Sequence, residues 1–271
     1  MNIVFSIVLY KTNFTVIKKI LNCIDIFERF YCSEDSKKFD VSILVLDNYS
    51  QSDQKFKEFM DKQASISYLK SKVNLGYGRG HNLNFSRFNE VSDFIFIPIN
   101  PDIKFNPEEL SNLLDFYKKN KNDIACLAPL IYFYNGEIQY SAKLNPSIIR
   151  LLVSRFQILR RIKYLNEIYK KYVNKWQDYE NSIIYSTYLS GCFLLIPSKV
   201  YKKVNGFSEE FFLHLEDADI TRKCAKFGKT LHYPHAKIYH QGGRGSHKSL
   251  TQQIALIKSM FIYFSKWGWE I

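Results

Sequence analysis

Two acidic segments of this 271-residue chain combine residue types able to handle a cation and a proton. The first is Asn100-Pro101-Asp102, directly after the apolar run Phe94 to Ile99. A carboxylate just past a buried strand stands where ligands collect in open α/β sheets, and its hard oxygens suit Mg²⁺ or Mn²⁺. Pro101 restricts the backbone before it, and Asn-Pro-Asp is equally good chemistry for an Asx turn that closes the strand. The second is Glu216-Asp217-Ala218-Asp219, which opens a helical run reaching Lys226 with Gly228 beyond. Carboxylates this crowded raise one another's pKa and move one member toward the range useful for accepting a proton near neutrality. The same acids also complement a helix dipole and pair with Arg222 or Lys223, although that role leaves the flanking Phe211-Phe212-Leu213-His214 to be explained as core.

The elements that must hold these groups alternate in the manner of an α/β sheet. Ile3 to Leu9 and Val41 to Leu46 are short apolar runs, and Phe14 to Phe30 between them has helical periodicity. Asp53 to Gln63 reads as a helix, Ile66 to Leu69 as a strand, Gly80 to Glu90 as a helix and Phe94 to Ile99 as a buried strand. Asn106-Pro107-Glu108-Glu109 supplies a cap, a first-turn proline and two acids suited to the positive end of a helix. Asn135-Gly136 sits at the centre of an alternating stretch, Ile131 to Tyr140, and signals a hairpin turn.

Gly76, Gly78 and Gly80 in Asn74-Leu75-Gly76-Tyr77-Gly78-Arg79-Gly80-His81-Asn82 allow backbone to approach a phosphate or sugar, with Arg79 and Asn82 as donors. The pattern follows the third strand rather than the first, which argues against a dinucleotide fingerprint and an oxidoreductase. His240 follows the strand-like Thr230 to Tyr239 and precedes Gln241-Gly242-Gly243-Arg244-Gly245-Ser246-His247, a segment with the composition of a lid ordered by ligand.

Net charge is +12, and it is unevenly spread. Between Ser141 and Lys175 there are nine basic residues and a single acid, Glu167. Leu152, Phe156, Leu159, Ile162, Leu165, Tyr169, Tyr172 and Trp176 recur through this stretch at helical spacing, which describes a basic amphipathic helix. Such a helix either packs on the domain with a solvated basic face or lies on anionic lipid headgroups. No nucleic-acid module accompanies the charge, so nucleic acid is not an expected partner. With 46% hydrophobic and 24% charged residues the chain is globular rather than disordered. Five scattered cysteines without a CxxC argue against a disulfide framework or zinc cluster. The N-terminal stretch becomes polar by Lys11 and lacks the basic n-region and cleavage site of a secretory signal, and no run is long and apolar enough for a membrane span. A cytoplasmic protein, peripheral on the inner face of the membrane if the basic helix docks there, is the expectation.

Five segments in order resemble one family. Val45-Leu46-Asp47-Asn48-Tyr49-Ser50-Gln51-Ser52-Asp53 is similar to a VDNxSxD segment, Asn74 to Asn82 to a glycine-rich donor loop, and Asn100-Pro101-Asp102 to a shortened DxD metal site. Leu189-Ser190-Gly191-Cys192-Phe193-Leu194-Leu195 is similar to an acceptor-side strand, and Gly206-Phe207-Ser208-Glu209-Glu210-Phe211-Phe212 with Glu216-Asp217-Ala218-Asp219 to a GfdexfF…EDxD block. Together they resemble family 2 glycosyltransferases of the GT-A fold, most closely the rhamnosyltransferase-like branch, from Ile3 to about His247, with residues 141–182 least matched. Tyr49 and His214 depart from the family pattern.

The resemblance implies an α/β domain of GT-A type, a Rossmann-like mixed central sheet flanked by helices with a basic helical insert. Residues 1–105 would form the nucleotide-binding half and 106–250 the acceptor-binding and catalytic half, with the insert at about 147–176 and a C-terminal helix at 251–271. It implies an inverting, metal-dependent transfer of a sugar, rhamnose from dTDP-rhamnose, to a hydroxyl of a lipid-linked bacterial surface glycan. A nucleoside diphosphate leaving group needs cationic support, and the acceptor hydroxyl needs a base opposite it. Asp217 is then the base, Asp102 and His240 hold Mg²⁺ or Mn²⁺, and Asp47 reads the nucleotide base. Tyr10, Asn74, Gly76, Arg79, Asn82 and Asn100 line the nucleotide-sugar side; Gly191, Glu216, Asp219 and Arg244 serve the acceptor or support the site. The alternatives are a UDP-hexose or UDP-N-acetylhexosamine donor, and a noncatalytic module that binds sugar nucleotides or anionic lipid.

Overall fold

The computed structural model describes residues 1–31, 39–49, 58–60, 66–88, 93–242 and 250–270. Strands β1 (Asn2–Leu9), β2 (Asp40–Asn48), β3 (Ile66–Ser71) and β4 (Phe94–Ile99) are parallel. Their order is β4-β1-β2-β3. Helix α1 (Phe14–Tyr31) makes the crossover from β1 to β2, and α2 (Tyr77–Arg87) lies between β3 and β4 in sequence. Every residue of β4 is buried, as is β1 from Ile3 on, which is why both read as unbroken apolar runs. The parts of the expected Asp53–Gln63 helix at 53–57 and 61–63 fall outside the described residues.

A second sheet continues the first. It is built from β5 (Ile103–Phe105), β11 (Lys229–His240) and β6 (Ile124–Phe133), with the short β8 (Ile184–Tyr185) on β11. β10 (Ile196–Pro197) adds antiparallel to β4, and the bridges Ile99 to Phe193 and Leu127 to Leu195 stitch the sheets together. Helix α3 (Pro107–Lys119) starts after Asn106 with Pro107 in its first turn; the Asn106 side chain makes no cap bond. The Asn135-Gly136 turn forms, with Gly136 at φ +84° and Tyr132 bridged to Ile138.

The basic insert departs from the single amphipathic helix expected. It folds as α4 (Ile148–Arg155), a 3₁₀ turn (Gln157–Arg161) and α5 (Lys163–Tyr172). The break is at Phe156, whose backbone is extended. Arg160 turns back to donate to Val153 O at 2.8 Å and to Ser154 O, and its guanidinium stacks 3.6 Å from the Tyr169 ring centre. A side chain is thus spent on carbonyls left open at the end of α4. Tyr172 packs inward, whereas Leu152, Phe156, Ile162 and Trp176, read above as part of an apolar face, are exposed.

Helix α7 (Glu216–Cys224) carries the second acidic cluster, and helix α8 (Leu250–Trp267) closes the chain against it. Asp219, fully buried, is the joint. It accepts from Ser208 Oγ at 2.6 Å and Trp267 Nε1 at 2.8 Å, and pairs with Lys266 at 2.8 Å and Lys223 at 3.7 Å. Asp219→Ala strands these partners and is expected to cost about 3–5 kcal/mol of stability. Denaturant unfolding read through tryptophan emission checks this; an unchanged midpoint would show that α8 docks without the carboxylate.

Candidate active site

The carboxyl edge of the parallel sheet gathers the first group of expected site residues. Register places Leu9 beside Asp47 and Ile7 beside Ile99, so Tyr10, Asp47 and Asn100 emerge at one end of adjacent strands. Tyr10 is exposed, while Asp47 is buried and accepts from Tyr68 Oη at 3.0 Å. Asn48 ties the next loop down: its Nδ2 donates to Asn74 Oδ1 at 2.8 Å and Gly76 O at 3.0 Å, and its Oδ1 accepts from Leu75 N at 2.7 Å. Ser50 to Asp53 of the first motif lie outside the described residues.

The glycine loop is shaped by this chain's own side chains. A Cβ on Gly76 would collide with Phe212 O, and Gly76 has φ +82°, so only glycine fits. Arg79 Nε donates to Glu209 O at 2.7 Å, and Asn82 exchanges bonds with Phe207 O, Phe207 N and Tyr201 Oη. Both residues, expected as donor contacts, hold the 206–209 turn in place.

Beyond β4, Asp102 Oδ1 lies 3.4 Å from His240 Nε2, and Asn100 Nδ2 lies 3.2 Å from the same nitrogen. His240 Nδ1 is 2.9 Å from Gln139 Oε1, a partner that fixes the orientation of the ring and leaves Nε2 facing Asp102. Burial lowers the His240 pKa, but Cys192 and Asp102 outweigh it and hold the imidazole up at about 10. A divalent cation there would displace that proton. Among the described residues no group of three His, Cys, Asp or Glu converges as a metal cluster. One carboxylate and one imidazole nonetheless suit a cation whose other ligands are diphosphate oxygens and water.

Asp217 stands in the first turn of α7. Its Oδ2 accepts from Gly191 N at 3.0 Å and its Oδ1 from Ala218 N at 3.0 Å, which fixes the carboxylate plane. Gly191 is required: a Cβ would lie 2.9 Å from Asp217 Cβ. The two residues before α7, His214 at φ +72° and Leu215 at φ +62°, are both left-handed, a costly geometry for non-glycine residues that sets how the helix enters. Burial, and then the Asp217 charge, push the Glu216 pKa up to about 8. The member of the cluster with the raised pKa is therefore Glu216, and desolvation matters more than crowding.

The segment Ser190 to Cys192 joins the two acidic sites. Gly191 N binds Asp217, Cys192 O accepts from Asn100 N at 2.9 Å, and the Cys192 side chain contacts His240. Tyr77 donates to Gly191 O and thereby locks the glycine loop to the same turn. On the Asp217 side opens a cavity of about 320 Å³ between α4 and α8, walled by Lys143, Arg155, Tyr188, His214, Glu216 and Asp217 among others. Asp219 faces the α7–α8 joint rather than this cavity, and Arg244 lies outside the described residues. Tyr77, Gln139, Lys143 and Tyr188 were not singled out by sequence reasoning, since each is an isolated residue whose role appears only through long-range contacts.

Glu216 also leaves a pH signature. Unfolded, its carboxyl ionises near 4.5; folded, near 8. Over that interval the folded chain holds the extra proton, so stability falls as pH rises from about 4.5 to 8. Glu216→Gln lacks this dependence and should melt higher than wild type at pH 8 but not at pH 4.5, by about 1–3 kcal/mol or a few degrees. A melting series across pH checks it; parallel curves for the two proteins would refute the buried neutral carboxyl.

Residues 12–191 match the sequence model of Glycosyl transferase family 2, and the chain belongs to that family. It is 26% identical over 250 residues to the N-acetylglucosaminyl-diphospho-decaprenol L-rhamnosyltransferase of Mycobacterium tuberculosis, covering 88% of this chain and 79% of that one. It is 22% identical over 183 residues to the rhamnosyltransferase WbbL of Escherichia coli, covering 65% and 64%. Among solved structures, GalNAc-T7 with UDP, GalNAc and Mn²⁺ superposes with a TM-score of 0.62 at 13% identity, over 88% of this chain. This chain spans 42% of that protein's length, and the likeness shows that the fold is GT-A.

Proposed function

We propose that this family 2 glycosyltransferase moves rhamnose from dTDP-rhamnose, with inversion, to a hydroxyl of a lipid-linked surface-glycan intermediate. The observation that carries the reading is the Ser190–Cys192 turn, which holds Asp217 by one residue and the Asn100–Asp102–His240 group by the next. A proton acceptor and a diphosphate-side cation site on neighbouring residues of one turn meet the demands of a single displacement at an anomeric carbon. The two relatives named above are both rhamnosyltransferases, and one is named for an acceptor in which N-acetylglucosamine is attached through a diphosphate to a polyprenol.

In this reading the acceptor oxygen attacks the anomeric carbon while Asp217 Oδ takes its proton, and the bond from that carbon to the diphosphate breaks. Glu216, protonated near neutral pH, keeps a second negative charge away from Asp217. Asp102 and His240 would hold Mg²⁺ or Mn²⁺, which when bound neutralises charge developing on the leaving diphosphate. Asp47 and Tyr68 close the nucleotide end. Asp217→Asn should lower turnover about 10²- to 10⁴-fold while leaving donor binding nearly unchanged. Transfer from a panel of nucleotide sugars to a lipid-diphosphate glycan acceptor, run with Mn²⁺ and after chelation, tests the reading; wild-type turnover in Asp217→Asn would reject the assignment, and a preferred UDP-sugar would replace the donor.

We also place the enzyme at the inner face of the membrane. No described helix is long and apolar enough to cross a membrane. The insert instead exposes Phe156, Ile158 and Ile162 beside Arg161 and Lys163, an apolar and basic surface suited to anionic headgroups. Reversing Arg161 and Lys163 to Glu should release the protein from phosphatidylserine-containing vesicles in sedimentation while leaving its melting temperature unchanged; equal sedimentation of both proteins would remove the membrane assignment.

A further inference from the structure

The cavity beside Asp217 contains groups that proton abstraction does not use. Lys143 reaches into it with its ammonium 4.7 Å from the Tyr188 ring centre, and it forms no ion pair among the described residues. Burial lowers the Lys143 pKa, with the Asp217 and Cys192 charges acting in opposition. Lys143 thus has the Tyr188 ring and the Asp217 charge near it but no direct ion pair among the described residues, which leaves its ammonium able to take an anion. Arg155, from α4, lines the same cavity. Two further polar atoms in its wall, His214 Nε2 and Glu216 Oε2, are buried without a hydrogen-bond partner among the described residues. Polar atoms left open in this way are met by a ligand or by water.

The other walls are apolar. Leu151 and Leu152 of α4 and Leu256 and Met260 of α8 line the cavity, and Leu152 is 41% exposed whereas Glu216 is 5% exposed. Exposed Leu152 marks the mouth of the cavity, whereas Tyr172, Leu215 and Glu216 lie buried at its floor. Outside the mouth α8 carries Leu250, Ile254, Ile257 and Phe261, all exposed and spaced four, three and four residues apart, so they form one stripe on the helix. A volume of about 320 Å³ is at the small end for ligand pockets, enough for a sugar and its phosphates but not for a long lipid.

From this arrangement we infer that the cavity between α4 and α8 is the acceptor subsite for a sugar linked through a diphosphate to a polyprenyl chain, with Lys143 and Arg155 binding the diphosphate. The sugar hydroxyls meet His214 Nε2 and the Glu216 carboxyl, and the lipid leaves between Leu152 and Leu256 along the α8 stripe. Lys143 is then a specificity determinant: it recognises a feature of the acceptor remote from the bond being made. The assignment rests on the glycosyltransferase reading for the identity of the sugar, but its anion and lipid preference can be measured without turnover.

The experiment is calorimetric titration of the full chain with farnesyl diphosphate, farnesol and inorganic pyrophosphate, each in saturating dTDP and Mn²⁺ so that the donor side is filled. Wild type should bind farnesyl diphosphate more tightly than either fragment. Lys143→Met should weaken farnesyl diphosphate about 10- to 100-fold, the range of a charge-assisted contact, while leaving farnesol and dTDP affinities unchanged. Leu256→Asp, at the mouth, should weaken farnesyl diphosphate and farnesol but not pyrophosphate. Unchanged affinity in Lys143→Met, or an equal loss of dTDP affinity, overturns the subsite. Farnesyl diphosphate binding with this mutational pattern but no sugar transfer from any nucleotide donor upholds the subsite and rejects the transferase reading instead.

Discussion

The contact between Gly191 and Asp217 is the constraint on which the site depends. An amide of the sheet-side turn and a carboxylate of α7 meet at 3.0 Å, in a space where a Cβ would approach Asp217 Cβ to 2.9 Å. One residue on, Cys192 O accepts from Asn100 N, two residues before Asp102. The separation of Asp217 from Asp102 is therefore set by a few covalent bonds, one backbone–backbone hydrogen bond and one bond from a backbone amide to the Asp217 carboxylate. Ångström errors in such a separation cost orders of magnitude in rate, so a site fixed through backbone is a mechanical advantage. Tyr77 extends the same lock to the glycine loop, which Asn48 ties to the end of β2.

Around that lock the fold tolerates features that oppose stability. His214 and Leu215 are left-handed, and among the described residues Glu216 Oε2 has no hydrogen-bond partner and the desolvated Lys143 makes no direct ion pair. They are concentrated within a few residues of Asp217 and on one cavity wall, the pattern expected where strain serves binding or chemistry. What holds them is the apolar cluster of Tyr172, Tyr188, Phe211, Leu215, Tyr263 and Phe264, which clamps the insert, α7 and α8 together. Asp219 belongs to this clamp. Its four polar partners make the α7–α8 joint directional where apolar packing alone would let the helices slide.

The sheet was legible in the sequence because parallel strands buried on both faces need continuous apolar runs, and β1 and β4 have them. The Asn135-Gly136 turn was legible through its φ requirement. Asp102, His240 and Asp217 were visible as chemistry-bearing residues at element ends, and the structure brings them to either side of one turn. The insert was misread as one helix because periodicity reports spacing and carries no information on Arg160 folding back to cap α4. Arg79 and Asn82 are expected as ligand contacts from their motif; that Arg79 Nε and the Asn82 amide also hold the 206–209 turn is not legible in that motif. Lys143 carried no signal at all: a lone lysine near a run of basic residues gains meaning only when β7 (Ala142–Lys143) and β9 (Tyr188–Leu189) set its side chain over Tyr188.

The uneven charge now has a structural reason beyond solubility. The insert that carries the basic excess also supplies α4, one wall of the cavity, and the exposed apolar side chains beside its mouth. An acceptor that is anionic near its sugar and apolar beyond it presents the same sequence of chemistries along its length: hydroxyls, phosphates, hydrocarbon. Glu216, His214, Lys143, Arg155 and Leu152 line the one cavity and α8 carries the exposed apolar stripe, so the proposed subsite supplies all three chemistries. Attraction of the basic surface to anionic headgroups and insertion of the apolar side chains act on the same face, so each reinforces the other. In the proposed membrane-docked reading the cavity mouth opens toward the bilayer, and an acceptor confined to the membrane would meet Asp217 by lateral diffusion rather than by leaving the lipid phase.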